Sequence, residues 1–344
     1  MTLAGRLLRT SLLPFGLLGT HALAAQPVAA NATHTCDTLP HADHPKTTLH
    51  SGDLSAVVFL PDAQTGYYRG SRFDWGGIVG CASLHGHTFF GEWFDRYEPT
   101  ISDAVTGPAE EFRHPTSEIG YDEAKPGEPF LKIGVGVLRR VDTKPYFFGT
   151  SYPIVDGGAW TVKTGKSSIT FRQELHSAFG YAYVYEKTLT LDGQTNTLSV
   201  SHRLQNVGTK PLETAVYSHD FFMLDHQPTG PGMELRLPFV PVPDNPLPTS
   251  AEIDGKTIRI VAPLEPKRGL GAYITGFSGK ATDFDFTFEN KSTGVGVQET
   301  SDSPLVKMYL WATPKTFCPE GYIAIHVEPG AAQSWTMRYR LFTK

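Results

Sequence analysis

The sequence predicts an all-β fold, one large antiparallel β-sandwich, and three observations carry that expectation. Thirteen short segments are rich in β-branched and aromatic residues, and many alternate apolar with polar positions, the period of a half-buried strand. Turn-forming stretches such as "LDGQTN", "NVGTKP", "IDGK" and "VEPG" punctuate them. Almost no segment carries a helical period. With 344 residues, 40% hydrophobic and 12% aromatic, the chain is long enough to bury the core of such a sandwich.

At the N-terminus, Arg6 and Arg9, the apolar run "SLLPFGLL" (11–18) and the small-residue stretch "ALAA" (22–25) read as a secretory signal peptide over residues 1–25. A secreted or periplasmic protein is the expectation. Residues 26–50 read as a flexible linker and 51–344 as the sandwich. No later run reaches the ~18 apolar residues of a membrane span. The predicted strands are 55–61, 130–140, 167–176, 181–191, 197–206, 212–224, 233–239, 257–262, 283–290, 294–300, 306–312, 322–327 and 334–342. Between the first two, 91–129 is rich in Pro and carboxylates and lacks alternation, which predicts a functional loop or lid. A net charge of -5 gives no general attraction to nucleic acid, so an anionic ligand would need a local basic site. Three cysteines are too few for a disulfide scaffold. Cys36 and Cys81 could be bridged with Cys318 left over, but the pairing is open, and all three read as structural.

No familiar catalytic motif is present, and neither a cofactor nor a metal is expected. Three clusters carry the available chemistry. The first, "GYYRGSRFDWGG" (66–77), holds Tyr68, Arg69, Arg72, Asp74 and Trp75. Arginine forks and aromatic faces suit a hydroxyl-rich ring, and arginine pairs bidentately with a uronate. The alternative is that these arginines pair with carboxylates of 91–129. The second, "YSHDFFMLDHQPTGP" (217–231), places His219 and Asp220 on opposite faces of an aromatic strand. The third, 297–330, supplies Gln298, Glu299, Lys307, Trp311, Glu320 and Glu328, with the glutamates as candidate bases.

Together these residues resemble the galactose mutarotase-like supersandwich, the fold of aldose 1-epimerases, over roughly 50–344. In aldose epimerases a strand of the type N-H-x-x-F carries a histidine that acts on the ring oxygen. "SHDFF" is similar, with Ser218 where Asn is usual. The resemblance implies that His219 is catalytic and that a glutamate in the last strands is its base: Glu320 of "CPEG", with Glu328 and Glu299 as alternatives. Arg69, Arg72, Asp74, Trp75, Asp220, Gln298 and Trp311 would then bind a mono-, oligo- or polysaccharide.

The leading expectation is an aldose 1-epimerase-type enzyme. Its alternatives are a polysaccharide lyase or hydrolase, with arginine neutralising a uronate and Tyr68 or His219 as base, and a non-catalytic carbohydrate-binding sandwich. An enzyme requires His219, Arg69 or Arg72, and one glutamate to converge on one cleft. In that arrangement 91–129 covers the cleft and Glu110 and Glu111 orient the arginines.

Overall fold

A computed structural model describes residues 36–114, 117–267 and 269–344; the predicted signal peptide lies outside them. Antiparallel sheets of ten, six, four and three strands make up the fold. Among the described residues the helical segments are single 3₁₀ turns at Leu224–His226 and Ala281–Asp283.

The ten-stranded sheet contains Thr197–Asn206 paired with Ala332–Phe342. Alternation sends Leu198, Val200 and Leu204 of one and Trp335, Met337 and Tyr339 of the other inward. The six-stranded sheet supplies the facing layer, whose Leu310, Ile323, Ile325 and Val327 join them in one buried cluster. Its strands run in the order Val242–Pro243, Leu270–Thr275, Lys307–Thr313, Thr316–Val327, Leu212–His219 and Ala109–Phe112. The face of this sheet turned away from the shared core is covered by loops, and the site lies there.

The structure departs from the predicted elements at several points. "FLKIGVGVLRR" is a hairpin of Pro129–Lys132 and Gly136–Arg139 rather than one strand. Gly134, between them, takes φ +79, and a Cβ there would come 2.7 Å from the Asp74 carboxyl carbon. The strand read as 212–224 stops at His219, and Phe221 takes φ 46 in the turn that follows. The strand read as 322–327 starts at Thr316 and passes through Pro319 and Gly321. Pro319 fits because pairing with Leu212–His219 begins only at Tyr322, so no ladder bond is lost on that side.

Two segments expected to be irregular contain strands. Lys46–Ser51, at the end of the stretch read as a linker, pairs with Leu54–Phe59, and a Cys36–Cys81 disulfide ties the preceding chain to Val79–Leu84. Within 91–129, Ala109–Phe112 is an edge strand against Leu212–His219. Its sequence, AEEF, hides the strand because Glu110 and Glu111 are buried ions. Glu110 meets Lys187 and His202, and Glu111 meets Arg72 and Lys132.

Candidate functional site

The outer face of the six-stranded sheet and the loops over it enclose a cavity of about 290 Å³. Period-2 alternation selects which side chains reach it. Tyr217 and His219 project from one strand, Glu320 and Tyr322 from the next, Tyr309 and Trp311 from the third, and Tyr273 from the fourth. Register places Tyr217 opposite Tyr322, Tyr309 opposite Glu320, and Tyr273 opposite Tyr309. The loops close the cavity with Arg72, Trp93, Asp103 and Phe148.

His219 and Glu320, about a hundred residues apart in the chain, meet here with Nε2 3.3 Å from Oε1. Both are buried. Burial, with Arg72 adding to it, holds the His219 imidazole well below its ordinary range, so it is neutral near pH 7. Burial, opposed by Arg72 but reinforced by Glu111 and Asp220, pushes the Glu320 carboxyl well above the usual carboxylate range. On the far side of the imidazole, Nδ1 lies 3.1 Å from the Cys318 sulfur, which also accepts the Phe221 N–H at 3.2 Å. Burial pushes the Cys318 thiol up, so it keeps its proton beside Nδ1.

Aromatic rings fix the imidazole plane. Phe221 stacks on it at 3.9 Å and 9°, and Trp311 meets it edge-on at 5.0 Å. Trp93 in turn stacks on Phe221 at 5.0 Å, and its indole N–H is held by the Val105 carbonyl.

Arg72 is anchored from three sides. Its Nε donates to Glu111 at 2.8 Å, its Nη2 donates to the Tyr217 hydroxyl at 2.9 Å, and its Nη1 pairs with Asp103. Glu111 also takes Lys132 at 3.0 Å. Burial alone would raise the Glu111 carboxyl, but Lys132 and Arg72 overcome it and hold the group well below its ordinary value. The expected orientation of an arginine by a carboxylate of 91–129 is therefore made by Glu111 on Arg72, whereas Glu110 turns to the opposite face of its strand.

Of the residues singled out by sequence, His219, Glu320, Arg72 and Trp311 line the cavity. The others lie elsewhere. The Tyr68 hydroxyl donates to the Ser102 carbonyl within the packed interior, and Arg69 Nη1 donates to the Gln64 carbonyl. Asp74 is buried with Lys187 at 3.0 Å and Tyr185 at 3.1 Å, and Trp75 donates to the Gly70 carbonyl. Asp220 points away from His219, as alternation requires, and is buried beside Glu299 of the ten-stranded sheet. Gln298 bonds Asp285 at 2.7 Å and Arg340 on that sheet. Glu328 is exposed beside His326.

Sequence reading passed over Arg113, Asp103, Phe148 and the tyrosines 217, 273, 309 and 322, all of which line the cavity. For Tyr217, Tyr309 and Tyr322 a signal existed: each sits two residues from a residue already singled out, and Tyr273 is one cross-strand step from Tyr309. Among the described residues no group of three or more His, Cys, Asp and Glu is arranged to hold a metal ion. Nor is any helix there long and apolar enough to cross a membrane.

No family model matches the chain, and no curated protein matches it. Solved structures do. A putative aldose 1-epimerase from Escherichia coli K12 is similar with TM-score 0.55 and 14% identity, covering 87% of this chain and 99% of that one. A galactose mutarotase-like protein from Clostridium acetobutylicum gives 0.56 and 12%, covering 89% and 98%. A GalM/aldose epimerase homologue from C. elegans gives 0.51 and 12%, covering 87% and 98%. The chain has the galactose mutarotase-like β-sandwich fold.

Proposed function

We propose that the protein is a carbohydrate-active enzyme of the aldose 1-epimerase type, with Glu320 as base and His219 as acid. The observation that carries this reading is the buried His219–Glu320 contact at 3.3 Å in a cavity walled by aromatic rings and an anchored arginine. Mutarotation moves two protons on oxygens bonded to one carbon. In the reactive ionisation state Glu320 is a carboxylate and His219 an imidazolium, the same proton count as the neutral pair that burial favours. Glu320 takes the proton of the anomeric hydroxyl while His219 Nε2–H protonates the ring oxygen, leaving a carboxylic acid and a neutral imidazole, the ring opens, and reversal on the other face closes it. Two proton-transfer groups in near contact suit two oxygens on one carbon. Arg72 would hold hydroxyls, and Trp93 or Trp311 would cover a ring face. A sugar-binding module without chemistry has no need for a buried histidine and carboxylate in contact, both shifted by burial toward their neutral forms.

The lyase alternative needs a phenolate or free imidazole to abstract a carbon-bound proton. Burial pushes the Tyr217 and Tyr322 hydroxyls up, which makes phenolate harder to form, and Tyr68 lies outside the cavity. His219 would remain as the lyase base, but its Nε2 lies against Glu320 at 3.3 Å, and that pairing favours the epimerase reading. Together with the N-terminal signal-like segment, it describes an enzyme working outside the cytoplasm.

The test is anomer interconversion of purified aldoses, followed by polarimetry or NMR exchange. Glu320→Gln and His219→Asn are each expected to slow it roughly 10²–10⁴-fold with the fold retained. Wild-type activity should fall as pH drops through the raised Glu320 value, because the base must be ionised. Anomer exchange at the wild-type rate in either variant would sink the assignment.

A further inference from the structure

The cations around the site fall into two groups. Arg72 is paired with Glu111 and Asp103, Lys132 with Glu111 and Glu118, and Lys187 with Asp74 and Glu110. Arg113 and Lys307 stand apart. Both are only half-buried, and neither enters an ion pair among the described residues.

Both belong to the sheet that builds the cavity. Arg113 continues the strand Ala109–Phe112, its N–H held by the Ala215 carbonyl at 2.7 Å and its guanidinium 4.9 Å from the centre of the Phe148 ring. It lines the cavity itself. Lys307 is directly opposite Tyr322 in the neighbouring strand. Its ammonium lies 4.3 Å from the Tyr322 ring centre and 4.8 Å from that of Tyr273, two cavity tyrosines. Burial and then Arg113 lower the Lys307 ammonium below its ordinary value against the pull of Glu320 and Glu111, whereas Glu111 overcomes burial in raising Arg113. A lysine partly dried beside a like charge, with aromatic faces as its neighbours, raises the energy of the empty site. A bound anion offsets it. Glu111, the buried carboxylate that acts on Arg113, already accepts from Arg72, Lys132 and Tyr217.

We infer that the sugar handled at this site carries an anionic group, a carboxylate or a phosphate, that docks on Arg113 and Lys307. This rests on the epimerase reading. The planar guanidinium fork offers two parallel donors to such a group, and the lysine adds a point charge. Tyr322, beside Lys307, is two residues from Glu320 on one strand, a separation of about 7 Å. One sugar ring with a substituent remote from its anomeric carbon bridges that span, leaving the anomeric centre at His219 and Glu320.

The experiment compares D-glucose, D-glucuronate and D-glucose 6-phosphate with the full-length protein, by anomer exchange and, independently, by titration calorimetry. At least one anionic sugar is expected to bind roughly 10–100-fold more tightly than glucose. That preference should collapse in Arg113→Gln/Lys307→Gln and recover in part in Arg113→Gln alone. For the anionic sugar KM should rise while kcat changes little, a split that a merely unfolded variant would not show. A preference for glucuronate over the phosphate identifies a carboxylate, and the reverse a phosphate. Equal affinity for all three sugars overturns the inference and leaves the epimerase reading standing on glucose turnover. Tight, variant-sensitive binding of an anionic sugar without anomer exchange supports the anion site and removes the epimerase reading instead.

Discussion

Arg72 carries both a structural and a ligand-facing role, and its partners set what a substitution does. Sequence allowed two outcomes for Arg72→Ala: unchanged stability with weaker binding if the arginine served a ligand, or lost stability if it braced 91–129. The geometry decides for the second without cancelling the first. The guanidinium is buried against Glu111, Asp103 and Tyr217 and also lines the cavity. Removing it leaves Glu111 as a buried ion with Lys132 as its remaining cation, so urea unfolding should show a loss of about 3–5 kcal/mol. A loss below about 1 kcal/mol would mean that Glu111 does not depend on this partner. At this scale the sequence was informative wherever residues lie on strands. His219, Glu320 and Trp311 reach the cavity because alternation fixes their face. In the loop 66–77 no period exists, and eight polar or aromatic side chains, interrupted by Gly70, scatter into different surroundings. Only Arg72 reaches the cavity, and nothing in the spacing of Tyr68, Arg69, Asp74 and Trp75 could have told them apart.

Among the elements, the strands easiest to read were the long ones with clean alternation, such as Thr197–Asn206 and Ala332–Phe342. Those that escaped were short or carried breakers and charges. Thr316–Val327 looked truncated because of Pro319 and Gly321, and Ala109–Phe112 looked like loop because of its two glutamates. This second strand is the seat from which 91–108 reaches over the cavity, and Gly107 sets how closely it approaches. A Cβ on Gly107 would lie 1.8 Å from the Asp220 carbonyl oxygen and 3.1 Å from that of His219. Both neighbours are backbone at the end of the strand that carries His219 and cannot rotate aside. Gly107→Ala is therefore expected to destabilise by about 1–3 kcal/mol. It should also lower kcat more than it raises KM, since the strand end carrying His219 must shift. Thermal unfolding with steady-state kinetics checks this, and a variant matching wild type in both would show that the segment is not seated by this contact.

For the whole molecule, the two large sheets meet through an apolar cluster interrupted by polar contacts, Glu110 with Lys187 and His202 and Tyr339 with Ser218, and by a carboxyl pair directly behind the site. Asp220 follows the last residue of Leu212–His219, and Glu299 belongs to the ten-stranded sheet; their carboxyls interact in the interior. Burial pushes Asp220 well above the usual carboxylate range, and burial together with Asp220 does the same to Glu299. Two adjacent carboxyls in a dry interior cannot both ionise, so the folded protein keeps protons that the unfolded chain gives up near pH 4. Above that pH the unfolded chain binds fewer protons than the folded one, and stability declines with rising pH until the folded carboxyls ionise. The slope is at most about 1.4 kcal/mol per pH unit for each retained proton. Glu299→Gln keeps the volume and hydrogen-bonding capacity but removes one titrating group. It should flatten the fall in melting temperature between pH 5 and pH 8 while changing little at pH 5. If wild type and Glu299→Gln lose stability in parallel across that range, the sheets are not joined by a retained proton, and the pH dependence arises at other carboxyls such as Glu118, which burial raises to about 7.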